Sequence, residues 1–201
     1  MTVFSRAGAR KLFFMLYTRK GDSGTTKVFN SLPGERISKA SCQTEALGAM
    51  DELNSFLGLC KVSAAEWAFR IGEDGMLFRD IVHLIQENLF IVQAELAGAP
   101  KKIEEFKVKE LEMLIDEIEQ ELPPIKTFFI SGGSEQAALF DVSRTLARKA
   151  ERRVIQAVES GEVTLSEHTL AFLNRLSSIL YALARLSNHK VGIVEHAPNY
   201  K

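Results

Sequence analysis

The 201-residue chain has only two cysteines, Cys42 and Cys60. Two thiols make neither a disulfide framework nor a thiolate zinc site, and they suit a reducing, cytoplasmic setting. Prolines number five, and no Pro/Ser-rich linker, internal repeat or low-complexity tract divides the sequence. A single domain over 16–201 is therefore expected, large enough to bury its own core. No apolar run reaches the length of a membrane span. A basic excess is missing too, since 25 Lys+Arg against 26 Asp+Glu give a formal net charge of −1. That balance argues against nucleic-acid and anionic-membrane partners. The absence of any Glu-x-x-His pair removes a di-iron carboxylate bundle. His83, His168, His189 and His196 stand neither at metal-ligand spacing nor beside a plausible nucleophile, and read as surface or structural residues.

Met1–Met15 carries Arg6, Arg10 and Lys11 with no acid, followed by the short apolar run 12–16. That run is too short for a signal-peptide core. The segment is expected to be a disordered extension, or to precede a true start at Met15, with an organelle-targeting remnant as the alternative.

What is present is helical periodicity. Ala46, Met50, Leu53, Phe56, Leu57 and Cys60 recur at three- and four-residue steps and predict a helix over 44–63. Leu77 to Leu96 predicts a second, ended near Gly98 and Pro100, and Val108 to Leu122 a third, stopped by Pro123-Pro124. Ser134 is the expected N-cap of a fourth, running to Ser160-Gly161, with Glu135 in its first turn. A fifth starts near 164–166 and ends near Asn188. Short connections between long amphipathic helices predict an all-α, five-helix up-and-down bundle with an irregular N-terminal arm. Only 27–31 and 126–131 have extended character, and Trp67 is expected to pack at a helix end.

Two stretches suit a polyanion. The first, Thr18-Arg19-Lys20-Gly21-Asp22-Ser23-Gly24-Thr25-Thr26, combines two glycines, two cations and several hydroxyls. It is not a Walker A loop, because no Gly-x-x-x-x-Gly-Lys-[Ser/Thr] occurs. Its glycines allow close backbone approach, and Thr18, Thr25 and Thr26 can bond phosphate or a Mg²⁺ water shell. A plain surface hairpin would account for the same residues. In the second stretch Arg144, Arg148 and Arg152 lie four residues apart on the fourth predicted helix. A solvated, ion-pair-laced face is the usual fate of such a run, with Asp141 and Glu151 at i±3 to pair it. Three aligned like charges repel, however, and are better explained by an anion between them. Asp51 follows the core-facing Met50, so a carboxylate at the edge of the apolar stripe is expected to need a cation. Asn174, between Leu173 and Leu176, reads either as a core-specifying polar residue or as a ligand contact.

Stretches in order along the chain resemble the PduO-type ATP:cob(I)alamin adenosyltransferases: 17–25, 34–39, 51–55, Ile85-Gln86 with Leu89-Phe90, Phe129-Ile130-Ser131-Gly132-Gly133-Ser134, Arg144 to Arg152, and 172–177. The resemblance spans about 16–195. It implies a five-helix bundle assembling as a homotrimer, with ATP bound where subunits meet. By the same resemblance Thr18, Arg19, Lys20, Gly21, Thr25, Thr26, Lys27 and Lys39 hold the triphosphate and Mg²⁺, mainly through the phosphates. Arg148, Glu151 and Arg152 contact ATP and Asn174 lies near the nucleoside. Asp51 pairs with Arg144 across the subunit boundary, and Phe128 excludes the lower axial ligand of the corrinoid cobalt. The implied substrates are ATP and cob(I)alamin. A flavin reductase and an adenosylcobalamin-dependent enzyme are the implied partners. Departures from the family pattern are Lys149 for arginine, Gln43 and Leu47 for arginine and tyrosine, Ser178 for aspartate, and the loosely matching Gly192–Tyr200. A non-catalytic ATP or adenosylcobalamin sensor is the rival reading, and a purely structural adaptor is a third that leaves both cationic stretches unexplained.

Overall fold

A computed structural model describes residues 17–64, 67, 70–71 and 75–201, so the expected extension Met1–Met15 lies outside the described residues. Five helices dominate: α1 Cys42–Ser63, α2 Phe78–Leu96, α3 Glu105–Glu121, α4 Glu135–Glu159 and α5 Glu167–Lys190. Their apolar stripes meet in one core, in which Phe78, Phe140, Phe172, Met50 and Leu53 are fully buried. Burying a side chain of this size contributes about 1.5–3 kcal/mol each.

Directions alternate along the chain. Gln136 donates to the Cys60 carbonyl and Lys149 reaches Glu52, which sets α4 antiparallel to α1. Asn188 meets Ser134 while Asn174 meets Glu151, so α5 runs back along α4. Helix α3 packs on α5 rather than on its chain neighbours. Ile103 lies at Thr169, Glu112 at Arg175 and Glu121 at Lys190. The two helices therefore run parallel, as alternation requires of the third and fifth.

Helix ends follow capping chemistry. The side chains of Ser41, Ser134 and Ser166 each accept the backbone N–H three residues on. Helix α1 starts two residues before the periodicity predicts, directly after its Ser41 cap, and the Glu162 carboxylate, 120 and 119 residues away, also accepts the N–H groups of Cys42 and Gln43 at 3.3 and 2.8 Å. A carboxylate there also complements the helix dipole.

The extended expectations need correction. The regular pairing in the arm is β1 Thr25–Thr26 with β2 Ile37–Ser38, antiparallel, so 27–31 is irregular connection rather than strand. Residues 126–131 form no strand either, having only a single backbone bond, Ile130 N–H to the His196 carbonyl at 2.9 Å. A further hairpin, β3 Arg70–Ile71 with β4 Met76–Leu77, leads into α2. Trp67 meets Phe78 edge-on at the start of α2, with ring centroids 5.5 Å apart. No helix among the described residues is long and apolar enough to cross a membrane.

Candidate functional site

The arm is an ordered coil built on its small residues. Arg19 sits in the left-handed region at φ 59, and its carbonyl accepts the Asp22 N–H. Gly21 is closely approached by Lys39, since a β-carbon there would lie 3.0 Å from Lys39 Nζ. That proximity brings Lys39 onto the Gly21 turn, and the Lys39 N–H donates to the Gly24 carbonyl at 2.9 Å. Arg36 closes the arm by donating to both the Thr25 hydroxyl and the Thr25 carbonyl at 2.7 Å. Thr25 is thus committed to the arm's own structure, whereas Thr18, Arg19, Lys20 and Lys27 are exposed, as Lys39 is. Sequence reasoning did not single out Arg36 as the residue holding the loop. The only signal available was its place in the 34–39 stretch.

On α4 the three arginines share a face, as their spacing predicts, with Arg144 half-buried and Arg148 and Arg152 exposed. Arg144 Nε approaches Asp141 at 3.7 Å, and its guanidinium lies 5.9 Å from the Tyr181 ring centroid. Among the described residues Arg148 and Arg152 have no ion-pair partner. Glu151 does not pair with Arg148; it accepts from Asn174 Nδ2 at 3.3 Å. Asn174 is exposed rather than part of the core, and its Oδ1 accepts from Arg175 at 2.7 Å. Arg175 is held in turn by Glu112 at 2.8 Å. Lys149 is taken up by Glu52 at 2.6 Å.

Asp51 departs from expectation. It follows the fully buried Met50 but is exposed, and within the chain Arg144 turns to its own helix neighbour Asp141 instead. One position along a helix is about 100° of rotation, enough to carry a side chain out of an apolar stripe.

An open cleft of about 530 Å³ lies between the α3–α4 loop and the faces of α4 and α5. Phe128, Phe129, Arg144, Arg148, Ser178 and Tyr181 are among its lining residues. Phe128 is 80% exposed and shares the cleft with exposed Ile125, so the loop presents an apolar patch there. Burial pushes the Tyr181 phenol up from its ordinary range. The cleft therefore joins an apolar floor to two guanidiniums.

The cleft and the arm do not meet within one chain. The arm abuts the start of α1 and the end of α2, where Asn30 N–H donates to the Ala97 carbonyl at 3.3 Å. Along the helix axis roughly 22 Å separates Arg144, and roughly 16 Å Arg148, from the end of α4 at Glu159, with Arg152 roughly 10 Å from it. None of the hydrogen bonds among the described residues joins residues 17–27 to the arginine row. Neither do their histidines, cysteines and acids form any group of three or more suited to a metal ion. Cys60 is buried against the Ser143 hydroxyl at 3.2 Å, and burial pushes its thiol up, which leaves it inert.

A family model described as cobalamin adenosyltransferase matches residues 16–187. The chain is 38% identical over 181 residues to the corrinoid adenosyltransferase PduO of Citrobacter freundii, covering 87% of this chain and 50% of that relative. It thus spans about half the length of that curated relative. It is also 38% identical over 185 residues to a corrinoid adenosyltransferase of Bacillus subtilis, covering 89% of each. Among solved structures it superposes with a TM-score of 0.79 and 28% identity on a phenylalanine-to-alanine variant of a PduO-type ATP:corrinoid adenosyltransferase from Lactobacillus reuteri, complexed with cobalamin and ATP. That match covers 92% of this chain and 99% of the other.

Proposed function

The chain belongs to the cobalamin adenosyltransferase family, and on that premise we propose that it transfers the 5′-deoxyadenosyl group of ATP to cob(I)alamin. The observation that carries this reading is the cleft in which exposed Phe128 faces Arg144 and Arg148. An apolar ring beside guanidiniums suits a corrin face next to a polyphosphate.

In this reaction the cobalt(I) electron pair attacks C5′ of ATP, the C5′–O bond breaks, and triphosphate leaves with the bonding electrons. The substrate corrinoid supplies the nucleophile, so the protein supplies position and electrostatics. Charge builds on the leaving oxygen, where Arg148 and Arg152, which have no ion-pair partner among the described residues, are available to stabilise it. Backbone and hydroxyls of Thr18–Gly21 and Thr26, with Lys20, Lys27 and Lys39, would cradle the phosphates, and Arg36 keeps that cradle closed. Mg²⁺ would be held through those phosphates, the hydroxyls of Thr18 and Thr26 fitting its water shell. Glu151 and Arg175 fix both ends of the Asn174 amide, which orients it for the nucleoside.

The separation of arm from arginine row supports a homotrimer in which one copy's arm reaches the next copy's row, and exposed Asp51 is then available to a neighbour's Arg144. A cytoplasmic setting, a flavin reductase that supplies the reduced corrinoid and an enzyme that uses adenosylcobalamin complete the proposal. The rival sensor is separated from it by turnover. Purified protein given ATP, Mg²⁺ and cob(I)alamin is expected to yield a photolabile alkylcobalamin and stoichiometric triphosphate. ATP binding without triphosphate release would establish the sensor instead.

A further inference from the structure

The loop between α3 and α4 carries Phe128 and Phe129 of the cleft but has no regular structure of its own. Its shape must therefore be imposed from outside. At its far end Asn188 brackets it, donating to the Gly132 carbonyl at 2.8 Å and accepting the Ser134 N–H at 2.9 Å. Gly133, at φ 111, admits that approach, because a β-carbon there would lie 2.5 Å from Asn188 Oδ1. Asp141 accepts the Gly132 N–H at 2.8 Å.

The near side is held by a charge. Arg185 on α5 is only 5% exposed, and donates to the Pro123 carbonyl and to Glu195, each at 3.0 Å. Its guanidinium also lies 5.2 Å from the Phe129 ring centroid. Glu195 belongs to the tail beyond α5, and one residue later the His196 carbonyl accepts the Ile130 N–H at 2.9 Å. A buried guanidinium is tolerated only when paired and hydrogen-bonded. Here its counter-charge comes from an irregular tail, so the pair ties tail to loop on both sides of Phe128.

We propose that Arg185 and Glu195 are positioning residues that clasp the C-terminal tail onto the α3–α4 loop and hold Phe128 at the corrinoid face. The proposal rests on the reading of Phe128 given above. Neither residue lines the cleft, so the clasp acts through the loop it holds. Losing it should harm the step that depends on Phe128 and spare nucleotide binding.

The test uses the full chain with Glu195→Gln, and a second variant lacking 194–201 should the first misfold. In substrate-free protein, exchange of the Ile130 amide is expected to quicken at least about tenfold while α1 and α4 stay protected. Adenosylation starting from cob(II)alamin and reductant should fall about tenfold, and from cob(I)alamin supplied ready-made by less than about twofold. Glu195→Asp, which keeps the charge, should recover most of the cob(II)alamin rate. Unchanged Ile130 exchange, or equal loss in both assays, would overturn the clasp. If the unmodified protein makes no adenosylcobalamin the proposed activity fails, while the exchange measurement still decides the clasp.

Discussion

Replacing Arg148 by alanine is expected to lower adenosylation from cob(I)alamin by about two to three orders of magnitude, the usual loss when one preorganised charge contact to a developing anion is removed. The fold should survive. Arg148 is exposed and has no internal ion pair among the described residues, and truncation at such a surface position stays within about 0.5 kcal/mol. Arg148→Lys should fall between, because it keeps the charge and loses the planar fork that grips two phosphate oxygens. Steady-state kinetics beside a thermal melt checks this. A melt unchanged and a rate unchanged together would remove the row from the reaction.

The second large effect belongs to Phe128. Its ring stands exposed on a loop, so Phe128→Ala removes little that the isolated fold depends upon. On the proposed function, what it removes is the apolar cover over one axial face of the corrinoid, where water or a base would otherwise ligate cobalt and resist reduction. Adenosylation from cob(II)alamin should therefore drop about a hundredfold, close to 2.7 kcal/mol of barrier, while the rate from cob(I)alamin changes only a few-fold. Equal losses in the two assays would make Phe128 an ordinary binding contact.

The helices were legible because each rests on local chemistry. Ser134 and Glu135 mark the start of α4, Pro123-Pro124 stops α3, and the apolar steps from Ala46 to Cys60 trace α1. Helix α1 begins earlier than its apolar steps show, because it starts at its Ser41 cap and the Glu162 carboxylate, from the far side of the sequence, takes up two of its first N–H groups. The same limit applies to the site. The spacing of Arg144, Arg148 and Arg152 gave their common face and the Asp141 partner of Arg144, but not that Glu151 turns to Asn174 and leaves Arg148 without an ion-pair partner among the described residues. Asp51 was placed wrongly because a residue at the margin of an apolar stripe turns in or out according to what packs beside it, which periodicity does not contain. Arg185 lies among buried leucines and alanines, so its sequence neighbourhood says core. Only the tail folded over it reveals the charge that keeps it there.

Where the nucleotide lies decides most directly whether arm and arginine row serve one site. A crystal structure of the protein with MgATP is expected to place the polyphosphate against the Gly21–Thr26 backbone of one copy and the Arg148 and Arg152 side chains of the next. A nucleotide that touches only one of those segments, or neither, would contradict it.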